Sequence, residues 1–419
     1  MNLFQKKYKV LFENFCSLSI LNGINVLVPF ITIKYLSDTI TDAQYGGYYY
    51  IYTIIQTLIV VTSYGFNFSA TKLISENRDN RDYVNMVFNA VTASKLILSI
   101  ASILVVLVLS PWLLDTQSLK IMFLLGLGMV IGDVFTPTWL FQGMEKMKYM
   151  TIVNSSSKIL FTLLVFVVVR EPQDYIWLLL LYSCGYILAG ILSITLVYKQ
   201  FNLKIGLTTR KDIIFQFKAG ASVFGSTMGI NLYRRANVII LKQFVSDDLL
   251  GIYSIAEQIV RGIQSLINPA AQVLFPHMSL KFKDKTYEDI ISLIKRIALP
   301  FIAVLIVACI GTIIFAPLII RVMSDIENFS GSIALIRWLS PVVLFGELNY
   351  LFGIVGLINM NRQTRFLIAV LVSGLFSVVF LCIFVPYLGT TAAAMSMSLA
   401  EIILCILCIM ELRKKNRIK

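Results

Sequence analysis

Charged residues are scarce in this sequence: 14% of its 419 residues are Asp, Glu, Lys or Arg, while 58% are hydrophobic. The mean hydropathy of +0.80 is far above that of a domain that folds in water. This shortage of charge excludes an ordinary soluble protein. It predicts an all-α integral membrane protein that crosses the bilayer many times.

Motifs that enzymes use for catalysis or metal binding are also lacking in the sequence. The single histidine, His277, follows Pro276 and has no neighbour that would make it a catalyst or a metal ligand. The six cysteines lie in apolar segments, which favours neither a secreted disulfide framework nor a zinc site. Cys405 and Cys408 form a C-x-x-C pair without the strand and helix context of a redox motif, and no Gly-rich phosphate loop occurs. We therefore predict a protein that is not an enzyme and has no metal or organic cofactor.

Long hydrophobic runs, in contrast, fill the chain, and a window of about 20 residues predicts twelve transmembrane helices. The first run follows a basic N-terminus and lacks a small-residue cleavage site, so we interpret it as a retained helix. The predicted spans are 10–33, 46–68, 84–109, 119–141, 150–169, 175–198, 217–241, 250–275, 290–319, 333–358, 366–385 and 390–411.

The two halves of the chain resemble each other around their first outer loops. An offset of about 208 residues pairs Lys34, Ser37, Asp38, Gly47 and Tyr49 with Lys242, Ser246, Asp247, Gly251 and Tyr253. Such a parallel repeat is typical of transporters that bind their substrate between two halves. We predict two six-helix lobes related by a pseudo-two-fold repeat, over 1–198 and 217–419, joined by a polar, basic cytoplasmic linker over 199–216.

Lys and Arg are distributed unevenly between the two sets of connecting segments. One set carries 25 of them, and the other carries only Lys34, Lys120, Arg170, Lys242 and Arg321. Because basic residues are retained in the cytoplasm, this pattern places both termini inside the cell. The formal net charge of +13 is therefore mainly a topology signal, and we predict no binding to nucleic acid.

Several charges lie inside the predicted spans, where one Arg costs about 2.5–3.5 kcal/mol on insertion scales. The cations are Lys95, Lys158, Arg234, Arg235, Arg261 and Arg337, and the acids are Asp133, Glu257, Glu347 and Glu401. Snorkelling to the headgroups is one explanation for the arginines, and Glu257 and Arg261, four residues apart on one helix face, can neutralise each other. The other explanation is a water-accessible cavity with positive walls, which suits an anion.

Two further patterns have structural interpretations. Ala221, Gly225 and Gly229 recur every four residues, which favours close packing against a neighbouring helix over a widened cavity. The tyrosines at 48, 49, 50 and 52 and the four tryptophans lie near span ends. We interpret these aromatic residues as an interfacial belt.

Four stretches, YGFNFSATKLIS, TPTWLFQGMEKMKYMTIVN, GIYSIAEQIVRGIQSLINPAAQVLFPHMS and LFGELNYLFGIVGLINMN, resemble the polysaccharide transporter family. The similarity is to Wzx-type flippases of O-antigen repeat units, in the MOP superfamily that also contains the MATE drug exporters. The most specific motif residues are Trp139, Phe141, Gln142, Gly143 and Glu145, with support from Pro276.

This resemblance implies a V-shaped pair of six-helix lobes in the bacterial inner membrane. The implied activity is translocation of an undecaprenyl-diphosphate-linked oligosaccharide for lipopolysaccharide or other polysaccharide biosynthesis. A polysaccharide polymerase and a chain-length regulator are the expected protein partners, beside membrane lipids. A MATE-like drug exporter is the nearer alternative, although cationic drugs would favour acids over cations in the spans. A membrane glycosyltransferase or polymerase is disfavoured because the longest loops have about 20 residues.

The sequence thus predicts two sets of functional residues. The first set consists of cations that are expected to line a central cavity and to bind the diphosphate or acidic sugars. These cations are Arg234 or Arg235, together with Arg261, Lys95, Lys158 and Arg337. The second set consists of acids, one of which is expected to take up H⁺ or Na⁺ and so drive an antiport cycle. The candidates are Asp133, Glu257, Glu347 and Glu401.

Overall fold

The computed structural model of this chain describes residues 23–24, 27–282, 287–323, 329–358, 360 and 362–414. Side chains at 222–223, 226–233, 268–282 and 297 lie outside this description. The described residues form helices and no strands, which confirms the predicted all-α fold class. Most of the first predicted span, 10–33, lies outside the described residues.

The α-helices of the described chain are labelled in order. They are 27–39 (α1), Asp42–Ser63 (α2), Phe66–Glu76 (α3), Arg81–Val108 (α4), Ser110–Leu113 (α5), Gln117–Val134 (α6), Thr138–Gly143 (α7), Met147–Val168 (α8), Leu178–Phe201 (α9), Arg210–Leu241 (α10), Asp247–Phe282 (α11), Tyr287–Met323 (α12), Ser332–Asn349 (α13), Gln363–Leu388 (α14) and Thr390–Arg413 (α15). A 3₁₀ helix, Pro172–Trp177, precedes α9, and a π-helix, Tyr350–Ile358, follows α13.

Nine helical segments of the described chain are long and apolar enough to cross a bilayer. α10 and α11 are longer than most of them, with 32 and 36 residues, but are less apolar and fall outside that group. Because a bilayer core requires about 20 helical residues, both helices also have the length to cross it. The protein is therefore a multi-pass membrane protein with about twelve spans, as the sequence predicts.

Three predicted spans are interrupted, and each interruption has a local cause. The span over 46–68 breaks at Gly65, which adopts a left-handed φ of 77° that favours glycine. The span over 119–141 breaks before Pro137, because proline disfavours the α conformation in the residue that precedes it. The span over 333–358 changes from α-helix to π-helix after Asn349, which widens the helical turn.

The chain forms two compact units that differ from a simple division into halves. Unit 1 contains the described residues up to Thr32 and Tyr48–Met228, while unit 2 contains Ile33–Gly47 and the described residues from Gly229 onward. α1, α2 and α10 therefore each contribute residues to both units. The lobes over 1–198 and 217–419, with their linker, remain a prediction about domain organisation.

Unit 1 is held together by close packing of α9 against α6 and α8, and of α3 against α7. α6 approaches α9 at Gly132, where a Cβ atom would collide with the backbone carbonyl of Tyr186. A second cluster buries Phe66, Phe88 and Trp139 completely or nearly so. Small residues let the helix backbones meet, which is how membrane helices pack without a hydrophobic driving force.

Unit 2 contains a reciprocal contact between the starts of α2 and α11. A Cβ at Gly46 would collide with the carbonyl oxygen of Asp247, and a Cβ at Gly251 would collide with the carbonyl oxygen of Asp42. Asp247 lies 205 residues after Asp42, and Gly251 lies 205 residues after Gly46, so the two contacts are equivalent under this offset. The sequence repeat pairs Gly251 with Gly47 and stays a prediction; in the structure Gly46 is the residue whose Cβ would meet the backbone of α11.

Candidate functional site

Buried polar side chains form one group in each unit. The group in unit 1 surrounds a cavity of about 430 Å³ that lies among α1, α2, α8, α9 and the C-terminal end of α6. This volume falls within the range of about 300–1,000 Å³ that is typical of small-molecule sites. The charged residues in its wall are Asp133 and Lys158.

Helical spacing explains which side chains of unit 1 reach the cavity. On α8, Asn154, Lys158 and Phe161 are four and then three residues apart, so they share one helix face. The same spacing places Tyr182 and Tyr186 of α9 on one face. Other positions of α8, such as Ile152, Ile159 and Leu163, are exposed apolar side chains. The helices are thus polar toward the cavity and apolar toward their surroundings.

Aromatic rings form a large part of the cavity wall. The ring of Tyr182 stacks on Phe161 with centroids 3.5 Å apart and lies 5.1 Å from the ring of Tyr52. The side-chain amide of Gln56 donates a hydrogen bond to the hydroxyl of Tyr186 at 3.1 Å. Ring stacking and hydrogen bonds on their edges hold these side chains in defined orientations.

Lys95 and Asp133 form an ion pair next to this cavity. The ammonium of Lys95, which is 4% exposed, donates to the Asp133 carboxylate at 2.8 Å and to the Asp133 backbone carbonyl at 2.6 Å. Asp133 lines the cavity, whereas Lys95 lies behind it on α4. Lys158, in contrast, lines the cavity itself. The two lysines of unit 1 therefore occupy different environments.

The group in unit 2 is centred on Glu401 of α15, whose side chain is completely buried. One carboxylate oxygen accepts a hydrogen bond from Arg234 of α10 at 2.9 Å. The other accepts from the amide of Asn349 at 2.7 Å, and the same amide donates to the Glu401 backbone carbonyl at 2.9 Å. A carboxylate so buried requires such partners, because an isolated buried charge is very costly.

A second ion pair on α11 adjoins the first. Arg261 contacts the buried carboxylate of Glu257 at 2.6 Å, one turn away, which confirms the pairing that their four-residue spacing suggests. The Arg261 guanidinium also donates to the backbone carbonyl of Arg234 at 3.5 Å. Both buried acids therefore have an arginine within contact distance.

Glu347 of α13 differs from these two acids. Its side chain is completely buried, and neither carboxylate oxygen has a partner in hydrogen-bonding geometry among the described residues. Its polar neighbours are Gln264 and Arg234, together with Glu401. The amide of Gln264 packs directly on Gly346, where a Cβ would displace it. The charged residues described in this group of unit 2 are therefore two arginines, Arg234 and Arg261, and three glutamates, Glu257, Glu347 and Glu401.

The remaining predicted cations lie nearer the surface of unit 2. Arg235 is half-buried and makes no ion pair or hydrogen bond with any residue that the structure describes. Arg337 is exposed, and its guanidinium donates to the backbone carbonyl of Ile313 at 3.4 Å. Of the six predicted cations, Lys95 and Lys158 belong to unit 1 and the four arginines belong to unit 2.

The most specific family motif forms a packed turn in unit 1. Trp139 and Phe141 are buried, and the Phe141 ring contacts Tyr149 and Phe201 with centroids 6.2 and 6.0 Å away. A Cβ at Gly143 would lie 2.7 Å from the side chain of Ile74, which is closer than real Cβ contacts. The motif therefore fixes the contact between α7 and α3.

Polar motif residues complete this turn. Gln142 accepts a hydrogen bond from the Thr71 hydroxyl at 3.5 Å, and its amide donates to the sulfur of Met150 at 3.5 Å. Glu145 has a positive φ of 54° and pairs with Arg78 at 2.9 Å. Pro276 lies in α11, at a position whose side chain is outside the described set.

The tyrosines of α2 do not lie where the sequence predicted them, at the membrane interface. Tyr48, Tyr49 and Tyr50 are 3%, 8% and 0% exposed, and Tyr52 lines the cavity, so they do not form an interfacial belt. Trp139 is also buried, whereas the other three tryptophans are at least 46% exposed. A signal was present in the spacing of Tyr52 and Gln56, which places a hydroxyl and an amide on one helix face.

Buried charged side chains among many long apolar helices are typical of membrane transport proteins. A family model described as "Polysaccharide biosynthesis protein" matches residues 11–282, and the chain belongs to this family. It is 24% identical over 404 residues to a protein of Escherichia coli (strain K12) named "Putative O-antigen transporter", which covers 96% of this chain and 97% of that protein.

Solved structures support the same fold. An inward-facing multidrug resistance MATE family transporter of the MOP superfamily has a TM-score of 0.76 at 11% identity, covering 96% of this chain and 97% of its own. The lipid II flippase MurJ in an inward closed conformation has a TM-score of 0.75 at 12% identity, covering 96% and 88%. Transporters and flippases, not enzymes, make up these comparisons, which confirms the prediction that the protein is not an enzyme.

Proposed function

We propose that this protein is a Wzx-type flippase, which moves undecaprenyl-diphosphate-linked oligosaccharide repeat units across the bacterial inner membrane by alternating access. Its product would be O-antigen or a similar surface polysaccharide. The family match and the full-length similarity to the Escherichia coli relative support this proposal. The observation that carries it is the set of arginines on α10 and α11, two helices of spanning length.

Arginine is suited to a diphosphate because it is always charged and its forked donors match phosphate oxygens. Arg234 and Arg261 each direct part of their guanidinium group to a buried glutamate, so their charge is partly neutralised. Arg235, which has no such described partner, is the arginine best placed to give its charge to a substrate. Lys158 is the corresponding cation of unit 1, and Lys95 and Arg337 remain members of the proposed set.

Complementation of surface polysaccharide tests this role directly. In a strain that lacks its own flippase, Arg235→Gln is expected to reduce polymer at least tenfold while the protein level in the membrane stays the same. Lys120→Gln, at an exposed position of α6, is the control and should leave polymer unchanged. Normal polymer from the Arg234→Gln/Arg235→Gln double variant would reject the arginine mechanism.

We further propose that Glu347 takes up the coupling ion, H⁺ or Na⁺. Among the four predicted acids, Asp133, Glu257 and Glu401 each have a cation between 2.6 and 2.9 Å away. Glu347 is the third glutamate of a group with two arginines, so one proton or monovalent cation would make that group neutral. An ion that enters and leaves such a group changes the energy of a buried charge, which can drive a conformational cycle.

Transport into membrane vesicles tests the coupling. Wild-type transport should respond to an imposed H⁺ or Na⁺ gradient, and Glu347→Gln should remove that response. Glu76→Gln, at an exposed position of α3, is the matched control and should keep it. Wild-type transport that ignores both gradients would contradict an antiport cycle.

The proposal also includes the predicted topology and partners. The excess of basic residues supports cytoplasmic termini, which reporter fusions at Lys414 and at the outer loop near Asp115 would test. Partnership with a polysaccharide polymerase and a chain-length regulator follows from the proposed pathway position. The MATE-like exporter is the alternative: deletion of the gene should leave sensitivity to cationic drugs unchanged, and a clear rise in sensitivity would favour the exporter.

A further inference from the structure

The cavity of unit 1 has the size of a small polar ligand. Its volume of about 430 Å³ equals the volume of roughly fourteen water molecules at about 30 Å³ each. A hexopyranose has twelve covalently bonded non-hydrogen atoms, which occupy less space than twelve separate water molecules, so one sugar ring fits with space left for several waters. The cavity is therefore large enough for one ring of an oligosaccharide and too small for a whole repeat unit.

The cavity wall matches the two kinds of surface that a sugar ring presents. Each ring has apolar C–H faces and a circle of hydroxyl groups at its edge. The stacked rings of Phe161 and Tyr182, with Tyr52 next to them, offer an aromatic surface for a C–H face. The amides of Gln56 and Asn154 can each donate and accept hydrogen bonds, as the hydroxyls require.

The charges at the cavity disfavour a cationic ligand. Asp133, the one acid among the lining residues, is bound by the Lys95 ammonium through its carboxylate and its carbonyl. Lys158 adds a positive group to the wall. The local charge therefore favours a neutral or acidic molecule over a cationic drug.

We propose that the unit 1 cavity is a saccharide subsite that takes one pyranose ring of the transported oligosaccharide, with Tyr52, Phe161 and Tyr182 against the ring face and Gln56 and Asn154 at its hydroxyls. This inference rests on the proposed flippase function. It adds recognition of a sugar ring in unit 1 to recognition of the diphosphate by the proposed cations.

The test is binding of simple sugars to the purified full chain in detergent, observed by saturation-transfer NMR. The probes are methyl glucoside, N-acetylglucosamine and glucuronic acid at millimolar concentration. Wild type should bind at least one of them, with the strongest saturation on the protons of one ring face, because that face lies against the aromatic rings. Asn154→Leu and Tyr182→Ala should each weaken binding at least fivefold.

Ser155→Ala is the matched control on the same helix. The Ser155 hydroxyl is buried, lies outside the cavity lining and has no hydrogen-bond partner among the described residues, so its removal should leave sugar binding unchanged. Folding of every variant is checked by thermal unfolding. Absence of sugar binding by wild type, or wild-type affinity in both cavity variants, would overturn the subsite.

Failure of the subsite and failure of the flippase proposal give different results. If the Arg234→Gln/Arg235→Gln variant makes normal polymer while Asn154→Leu still abolishes sugar binding, the subsite stands and the arginine mechanism falls. If Asn154→Leu and Tyr182→Ala both bind sugar with wild-type affinity while Arg235→Gln stops polymer formation, the flippase proposal stands and the subsite falls.

Discussion

The two units bury polar side chains in different ways. In unit 1 the hydroxyls and amides of half-buried residues such as Gln56, Tyr182 and Tyr186 face an open cavity. In unit 2 the carboxylates of Glu257 and Glu401 are at most 3% exposed and contact guanidinium groups directly. A neutral group beside a cavity can exchange one hydrogen-bonding partner for another, whereas a buried charge cannot lose its partner without a large penalty. Substitutions of the neutral cavity side chains of unit 1 should therefore affect binding, whereas substitutions of the paired glutamates of unit 2 should affect stability first.

The largest effect is expected for Glu401→Ala in unit 2. It removes the Glu401 carboxylate from the partly buried Arg234 guanidinium and removes one of the two acceptors of the Asn349 amide. Breaking a buried ion pair by removing one partner costs about 3–5 kcal/mol. Thermal unfolding of the purified protein should show a correspondingly large loss of stability, whereas Asn154→Leu at the unit 1 cavity should change it much less.

The double variant Arg234→Met/Glu401→Met provides the control for this prediction. Replacing both members of a buried pair by apolar groups is often nearly neutral for stability, because no charge is left unpaired. The double variant should therefore be more stable than Glu401→Ala. Equal instability of the two variants would show that the pair itself, and not the unpaired charge, determines the loss.

A second prediction concerns the backbone contact between α2 and α11. In Gly251→Ala the new methyl group would collide with the carbonyl oxygen of Asp42, so one helix must move. Overpacking of this kind costs about 3 kcal/mol at the upper end of its usual range. The readout is again thermal unfolding.

Gly311→Ala on α12 is the matched control for Gly251→Ala. No described atom lies within 4 Å of a Cβ at Gly311, so the substitution should leave stability unchanged or raise it by up to about 1 kcal/mol. Similar losses from both variants would mean that the close approach at Gly251 does not limit stability.

A smaller effect is expected for the segment that follows α9 in unit 1. The side chain of Asn89 donates to the carbonyl of Lys204 at 3.0 Å and accepts from the amide of Gly206 at 2.8 Å. Asn89→Leu removes both hydrogen bonds, at a cost of about 1–2 kcal/mol. The exposed Lys204 should then be cut faster by trypsin, while global unfolding changes little.

Ser102→Ala is the control on the same helix. Its hydroxyl bonds only to Ser99 of α4, so trypsin should cut this variant at the wild-type rate. An unchanged rate in Asn89→Leu would show that the two hydrogen bonds do not hold the segment in place.

Hydrophobic patterning was sufficient to predict the class of fold and most of the spans, since runs of about 20 apolar residues have few alternatives in a bilayer. The charged spans were predicted as well, because α10 and α11 are bounded by polar segments on both sides. The breaks at Gly65 and Pro137 were missed, although glycine and proline are the residues that allow or impose such breaks.

The candidate site was predictable only in part. Spacing of four residues was sufficient to pair Glu257 with Arg261, because both lie on one helix. The pairs Lys95 with Asp133 and Arg234 with Glu401 join residues 38 and 167 positions apart, and no local pattern contains that information. For the same reason, hydropathy could not distinguish tyrosines that line a cavity from tyrosines at a membrane interface.

The glycine stripe of α10 illustrates a similar limit. A recurrence of small residues every four positions predicts a smooth helix face but does not identify what covers it. No described atom lies within 4 Å of a Cβ at Gly225, whereas a Cβ at Gly220 would lie 2.9 Å from the carbonyl oxygen of Tyr64. The close contact of the described part of α10 is therefore at Gly220, which is not a member of the stripe.

The smallest effect is expected for Glu145, although it belongs to the most specific family motif. Its carboxylate pairs with Arg78 at 2.9 Å, but the two side chains are 54% and 34% exposed, so solvent screens the interaction. Such a pair contributes about 0–1 kcal/mol, and Glu145→Gln should change unfolding by no more than about 0.5 kcal/mol. Glu145→Gly should be at least as stable as wild type, because glycine tolerates the φ of 54° that a glutamate adopts only at some cost. If instead Glu145→Gln abolished polymer formation without changing stability, the motif acid would act in transport and not in packing, and the polar cavity would no longer be the principal functional feature of unit 1.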